Sequence, residues 1–349
     1  METFIALWKH RYHKYSEIFK TYWAFWKTYA WIKWLKLTKG KPVIAILQAE
    51  HMGDIVTGEP IARKIRNQHP EAILCWIVKK PFRELLDYNP AINHIILEPN
   101  VLFSCLLVDH SPFDKLYNFH LSNRVYEPLK RRLVNAHADS IHLTIHNFLE
   151  FGRLTEVFAT AANVPLPSPA DGPKLYIPNT AKAKVDSLNL PEKYVVLHTI
   201  SNQLPKDWVQ ERWNDLANRL LKDFGPVVEI GLVPNVQNVS KDFYNLCGKL
   251  SVLESAEVIR RATFFIGLDS GPAHMANAVG TYGFILLGKH GPFEHYDLYT
   301  GGYGDGSNAR MIRSQRGTYV PSLTVEEVWQ PIEEYLIGRK MAEAFTRPK

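Results

Sequence analysis

The strongest constraint on the fold is an order of short apolar runs, each followed by a helical stretch, that appears twice along the chain. After Gly40 and the break at Pro42, the run Val43–Ala49 is apolar and β-branched at its start, as a strand buried on both faces must be. The loop Glu50-His51-Met52-Gly53-Asp54 follows, then a helical pattern through Ile61, Ile65 and Arg66 to Pro70, then a second apolar run, Ala72–Val78. This is a βαβ unit, and its loop lies at the carboxyl end of a parallel strand, where open α/β sheets place their ligands.

From about Gly172 the order restarts, with strands expected at 194–198, 227–231 and 284–288 and a helix over 211–222. Pro165, Pro167, Pro169 and Pro173 mark a linker between the two series. At 349 residues, 46% hydrophobic, the chain can build two cores. The expected organisation is an arm over 1–41, a Rossmann-like domain over 42–170, a second over 171–330, and a C-terminal helix and tail over 331–349. Cys75, Cys105 and Cys247 follow no paired or metal-ligand spacing, which reads as structural thiols in a reducing compartment.

Two loops carry candidate chemistry. In the first, Gly53 permits a tight turn and Asp54 sets a carboxylate at a helix start, where the helix dipole favours its ionised, basic form. The same residue also fits a plain helix cap. In the second, an apolar run ends in Asp269, the Ser270-Gly271-Pro272 turn opens a helix, and His274 lies in its first turn. Proline suits a first helical turn because its missing N–H would have had no partner there. Such a turn offers amides and a hydroxyl to a diphosphate, although strand-turn-helix units with glycine also occur without any phosphate. The loop Tyr299–Gly306, rich in glycine, reads as a flexible surface loop or an acceptor lid.

The net charge of +6 is local: nine Lys/Arg face only Glu2 and Glu17 within residues 1–41, and the remainder is close to neutral. On a helix, Trp8, Tyr12, Tyr15, Phe19, Tyr22, Trp26 and Tyr29 form one stripe opposite Lys9, His13, Lys20 and Lys27. Five of the nine tryptophans lie here, and Trp and Tyr favour the headgroup boundary. Lys and Arg interrupt the segment too often for a spanning helix, and it lacks the pattern of a secretory signal. The arm therefore reads as an interfacial helix, with residues 1–38 on an anionic membrane surface. Packing of the stripe on the protein or on a second copy, and nucleic-acid binding, are the competing readings, of which nucleic acid is the one set aside. His137, His142 and His146 invite a metal reading through the i, i+4 pair, but no acidic third ligand has matching spacing, so no metal site is expected.

Taken together, Met52-Gly53-Asp54 with Pro60 and Pro70, the Leu197–Ile200 strand end with Lys206-Asp207-Trp208 and Trp213, and Asp269-Ser270-Gly271 with His274 resemble glycosyltransferase family 9, the ADP-heptose:lipopolysaccharide heptosyltransferases. The resemblance covers roughly residues 42–330. It implies a GT-B fold, two Rossmann-like domains facing a central cleft, to which the amphipathic arm is an addition. It also implies an inverting, metal-independent transfer from an ADP-sugar, without a cofactor, to a hydroxyl of a lipopolysaccharide-core or related glycolipid. By position, Asp54 is then the base and Lys206 the group that stabilises the departing diphosphate. Asp269, Ser270, Gly271 and His274 line the donor site, with Thr199 and Ser201 as weaker phosphate contacts. Gly53, Glu50 and His51 fall on the acceptor side. Glu50 and His51 stand where the family has small or hydroxyl residues, and Glu59 precedes Pro60 where a threonine-like or apolar residue is usual, so the departures concern the acceptor. The enzyme is expected in the cytoplasm, peripheral on the inner face of a bacterial cytoplasmic membrane. A protein or outer-saccharide acceptor, or a non-catalytic nucleotide-binding module on a membrane, are the alternatives.

Overall fold

In the computed structural model the first apolar run forms β1 (Val43–Leu47), all five residues buried. The structure describes the backbone of residues 2–203, 206–237 and 241–346, with side chains described in all of these except 2–11, 13 and 340–346. The chain divides into two units, Met1–Pro167 and Ser168–Lys349.

In the first unit β1 pairs in parallel with β2 (Ile73–Val78), which pairs with β3 (His94–Leu97), while β4 (Lys115–Asn118) pairs with the other side of β1, giving the order β3-β2-β1-β4. Before β1 runs α1 (Glu2–Lys39); α2 (Met52–Thr57) and α3 (Glu59–Gln68) connect β1 to β2, and α4 (Val101–Asp109) connects β3 to β4. A short antiparallel pair, β5 (Val125–Tyr126) and β6 (Arg131–Arg132), then α5 (Ala136–Ser140) and α6 (Leu154–Ala161), complete the unit.

The arm is not a separate body. Phe25, Ile32 and Leu35 of α1 are buried in the same core as Val43, Ala45 and Leu47, with Ile18, Ala24, Tyr29 and Trp31 packed at its edge. Thr21 is buried, and its hydroxyl accepts from the side chain of Asn100, the residue that caps α4. Near its other end, Lys36 pairs with Asp114 at 2.8 Å, and Asp114 in turn accepts from the amide of Val43. Burying three large apolar side chains contributes roughly 1.5–3 kcal/mol each, enough to fasten the second half of α1 to the unit. Most of the stripe expected from the sequence lies on the other side: Tyr12, Tyr15, Phe19, Tyr22 and Trp26 are exposed, and Trp23 and Trp34 with them, whereas Tyr29 turns to the edge of the core. Trp8, Lys9 and His13 lie outside the described side chains.

The second unit contains α7 (Asn179–Asp186), β7 (Val195–His198), α8 (Gln210–Asp223), β8 (Val227–Glu229), β9 (Phe243–Asn245), α9 (Val252–Arg261), β10 (Phe264–Leu268), α10 (Gly271–Val279), β11 (Gly283–Leu287), β12 (Ala309–Arg313) and α11 (Val325–Thr346). Its six strands are all parallel, in the order β12-β11-β10-β7-β8-β9. The C-terminal helix begins before the expected residue 331: Val328, Trp329, Ile332 and Leu336 of α11 belong to the core formed with β7, β10 and β11. Tyr299, Gly301 and Tyr303 are buried, and the Tyr303 hydroxyl donates to the carbonyl of Thr281, so the first part of this glycine-rich stretch is packed, while Asp305 and Gly306 are exposed.

Candidate active site

In the second unit, the carboxyl ends of β7 and β10 bring the family-matching residues together. Asp269, 4% exposed, follows directly on the last residue of β10. It accepts from Lys206 Nζ at 2.7 Å, from Tyr296 at 3.2 Å and from Tyr299 at 3.1 Å, and His274 Nε2 lies 4.0 Å away. Burial opposes ionisation of Asp269, but the charges of Lys206 and His274 and the bonds from Lys206 and Tyr299 together hold its carboxyl below the ordinary range. Burial and the same carboxylate push the Tyr296 and Tyr299 hydroxyls up, so both remain protonated donors. The Tyr299 ring also packs on His274, centroids 4.6 Å apart.

Lys206 reaches this carboxylate because its loop is pinned on both sides. The Ser201 amide donates to Asp207 at 2.6 Å, and Trp208 is buried against Trp213 with its Nε1 donating to the Leu323 carbonyl. Ser201 spends its hydroxyl locally, on the carbonyl and amide of Gln203. Residues 204 and 205 of the loop lie outside the described residues.

Ser270 does not cap α10 with its side chain; its hydroxyl lies 3.1 Å from His198 Nδ1. Burial pulls His198 down to about 4, so the imidazole is neutral at pH 7. The amides of Ala273 and His274 turn back on the Ser270 carbonyl, and Pro272 has none, which leaves Gly271 as the first-turn amide without a backbone acceptor among the described residues. Thr199 is buried and donates its hydroxyl to Glu229 at 2.8 Å. Glu229, which the sequence reading missed, also accepts the amides of Asn235 and Val236, and its second oxygen has no partner among the described residues. Burial pushes its carboxyl above the ordinary value against the pull of those bonds.

In the first unit the β1–α2 loop carries the other candidates. The N-cap position of α2 is His51, so Asp54, in the first turn, is not the cap. Its carboxylate lies 3.3 Å from His51 Nδ1 instead. The His51 side chain is 64% exposed and that of Asp54 30%. Gly53 lies between them in the first turn of α2. Beneath the loop sits a buried ionic cluster. Arg124 makes two bonds to Glu98, at 2.9 and 2.7 Å, and pairs with Glu50 at 3.0 Å. Lys79 also binds Glu50, and His120 Nε2 accepts from the amide of Ala49. Burial opposes the charge on Glu50, yet Lys79 and Arg124 outweigh it and hold its carboxyl low. Glu50 is thus committed to holding the loop. Glu59, also placed on the acceptor side by the sequence, is buried and bonded to Arg63 of its own helix. Gly58 separates α2 from α3 where a Cβ would lie 3.2 Å from the rings of Phe119 and Trp76.

Among the described residues no group of three His, Cys, Asp or Glu side chains converges as a metal site, and no helix is long and apolar enough to cross a membrane. His142 and His146 share no helix face, because α5 ends at Ser140 and His142 has positive φ.

Two Rossmann-like units, each an all-parallel sheet with its polar side chains at strand carboxyl ends, give the chain the fold of the GT-B glycosyltransferases. Residues 146–297 match the family model described as glycosyltransferase family 9 (heptosyltransferase). The curated lipopolysaccharide heptosyltransferase 3 of Escherichia coli is 27% identical over 118 residues, which span 31% of this chain and about a third, 34%, of that relative. Among solved structures, the family 9 glycosyl transferase from Veillonella parvula superposes with a TM-score of 0.64 at 17% identity, over 85% of this chain and 97% of that one. The E. coli ADP-heptose lps heptosyltransferase II gives 0.61 at 16% identity, over 86% and 99%.

Proposed function

We propose that this protein transfers heptose, or a related sugar, from an ADP-linked donor to a hydroxyl of a lipopolysaccharide-core or related glycolipid, by one inverting displacement and without a divalent cation. The observation that carries the reading is the Lys206–Asp269 pair at the entrance to α10, buttressed by Tyr296, Tyr299 and His274. Displacement at an anomeric carbon needs an activated oxygen nucleophile and stabilisation of negative charge on the leaving diphosphate. Lys206 and the Gly271 amide supply the second, with the Ser270 hydroxyl able to join them by turning away from the Leu268 carbonyl, and the Asp54 carboxylate drives loss of the acceptor proton. Thr199 and Ser201, their hydroxyls engaged within the protein, serve by shaping the strand end and the Lys206 loop.

The test is titration with ADP-heptose together with transfer to lipopolysaccharide truncated at its inner core. Lys206→Met should weaken donor binding and slow transfer by about 10²–10³-fold, the loss expected when one charge-stabilising donor is removed. Unchanged binding and transfer would refute the donor reading.

The acceptor class and the location draw support from α1. Its outward face shows Tyr12, Tyr15, Phe19, Trp23, Trp26 and Trp34, with Lys20 and Lys27 exposed alongside. Interfacial aromatics combined with lysines worth about 1 kcal/mol each near an anionic leaflet favour peripheral attachment at the cytoplasmic membrane face. Flotation with vesicles containing phosphatidylglycerol tests this. Replacing Trp23 and Trp26 by serine should release the protein from them and leave ADP-heptose affinity as it was, while co-flotation of the variant would sink the membrane reading.

A further inference from the structure

The β1–α2 loop holds a second titratable group that the reading above does not use. His51 sits at the N-cap of α2 with φ of 61°, a conformation that a residue with a Cβ rarely adopts. That backbone turns the imidazole onto the Asp54 carboxylate, Nδ1 to Oδ2 at 3.3 Å. Asp54 thereby fixes the tautomer with hydrogen on Nδ1, which leaves Nε2 as a proton acceptor on a ring that is 64% exposed. Beneath it, Glu50 is anchored by Lys79 and Arg124, and the Ala49 amide by His120, which ties the base of the loop to the unit.

We propose that the acceptor hydroxyl gives its proton to His51 Nε2, with Asp54 holding and polarising the imidazole. The inference rests on the sugar-transfer reading for its reaction and changes only which atom takes the proton. In the step, the acceptor O–H bond breaks and its proton goes to Nε2. The oxygen forms a bond to the anomeric carbon, the bond from that carbon to the diphosphate oxygen breaks, and its electron pair leaves with ADP. The imidazolium then returns its proton to water. Asp54 is a positioning residue in this scheme.

The electrostatic surroundings set a pH signature. The bond from Asp54 raises the affinity of His51 for a proton; burial opposes this, the charges of Asp54 and Glu50 add to it, and Lys79 subtracts. On neighbouring elements His120 is buried and held neutral well below the ordinary histidine range, Glu59 is paired with Arg63, and Arg83 with Asp87. The proton-accepting form of His51 therefore grows in as pH rises through a value above the ordinary 6.5.

The experiment is kcat/KM against pH for the full chain, with ADP-heptose and lipopolysaccharide truncated at its inner core, and with hydrolysis of ADP-heptose as a second readout. The native acid limb is expected above pH 6.5. His51→Asn keeps an N–H where Nδ1 stood but has no base; it should lose about 10²–10⁴-fold in rate and abolish the histidine limb. Asp54→Asn should keep a histidine limb at lower pH. A native limb already in the carboxylate range, or a His51→Asn rate within about threefold of native, would overturn the assignment of the proton to His51. Loss in Asp54→Asn with native rates in His51→Asn overturns the dyad and leaves sugar transfer standing. No transfer by native protein, with no binding of ADP-heptose, overturns the underlying reading as well. Circular dichroism of each variant separates loss of rate from loss of fold.

Discussion

The entrances to α2 and α10 both present an aspartate with a histidine near it, but the protein builds them in opposite ways. At α10, Asp269 is buried and its two oxygens collect a lysine and two tyrosine hydroxyls. At α2, Asp54 is partly exposed, its observed side-chain partner is His51, and the firm part of the structure is the ionic cluster of Arg124, Glu98, Glu50 and Lys79 below. A buried, fully bonded carboxylate is suited to holding a lysine ammonium in place for an anionic group, because little need reorganise as charge develops. A group that must gain and lose a proton benefits from contact with water. On the proposed function, the difference separates fixed electrostatics at α10 from proton traffic at α2.

The largest effect that tests this contrast is on stability. Asp269→Ala leaves the Lys206 ammonium and two phenolic hydroxyls without their acceptor in a nearly dry place, and the expected loss is roughly 3–5 kcal/mol. Asp54→Ala removes an exposed pair and should cost about 1 kcal/mol or less. Urea unfolding of the two variants measures both. Equal losses would mean that the α2 loop is as much a structural keystone as the α10 turn, and the contrast would fail.

A smaller effect is expected on the pH axis, at His198 behind Ser270. Its folded value is depressed from 6.5 to about 4, so the unfolded chain binds the proton first. The associated stability is fully present above pH 6.5, is lost as pH falls toward about 4, and amounts to roughly 3 kcal/mol. His198→Asn keeps a polar atom near Nδ1 without the titration, so its unfolding free energy should fall less between pH 6.5 and 4 than that of the native protein. Parallel pH profiles would show that His198 is not the group responsible.

How far the sequence could lead differs between the same regions. The strands at 43–47, 73–78, 195–198, 227–229, 264–268 and 283–287 fall where apolar runs predict them, because strands buried on both faces leave a continuous pattern. Lys206, Asp269 and His274 were found through a motif, and they meet because β7 and β10 are neighbours in the sheet. Tyr296 and Tyr299 carried no signal of their own; they reach Asp269 from a segment more than 25 residues downstream, and its glycines resemble those of any loop. Glu229 was invisible for a related reason, since a carboxylate at a strand end looks exposed until tertiary packing buries it. In α1 aromatic side chains surround much of the helix, so periodicity alone could not tell that Phe25, Ile32 and Leu35 face the core while Trp23 and Trp26 face out.

The smallest predicted effect runs against the usual direction of mutation. His51 holds a positive φ of 61° with a full side chain, a strain of about 1–3 kcal/mol that the surrounding loop must absorb. Glycine adopts that backbone without the clash, at a cost of about 0.5–1 kcal/mol in extra unfolded-chain freedom. The exposed His51–Asp54 pair contributes little in exchange. His51→Gly should therefore stabilise the fold by about 1 kcal/mol, seen as a higher urea midpoint at unchanged slope. A lower midpoint would show that the imidazole supports the loop structurally. A higher midpoint together with slowed transfer is the combination expected where a strained residue is retained for the chemistry it performs.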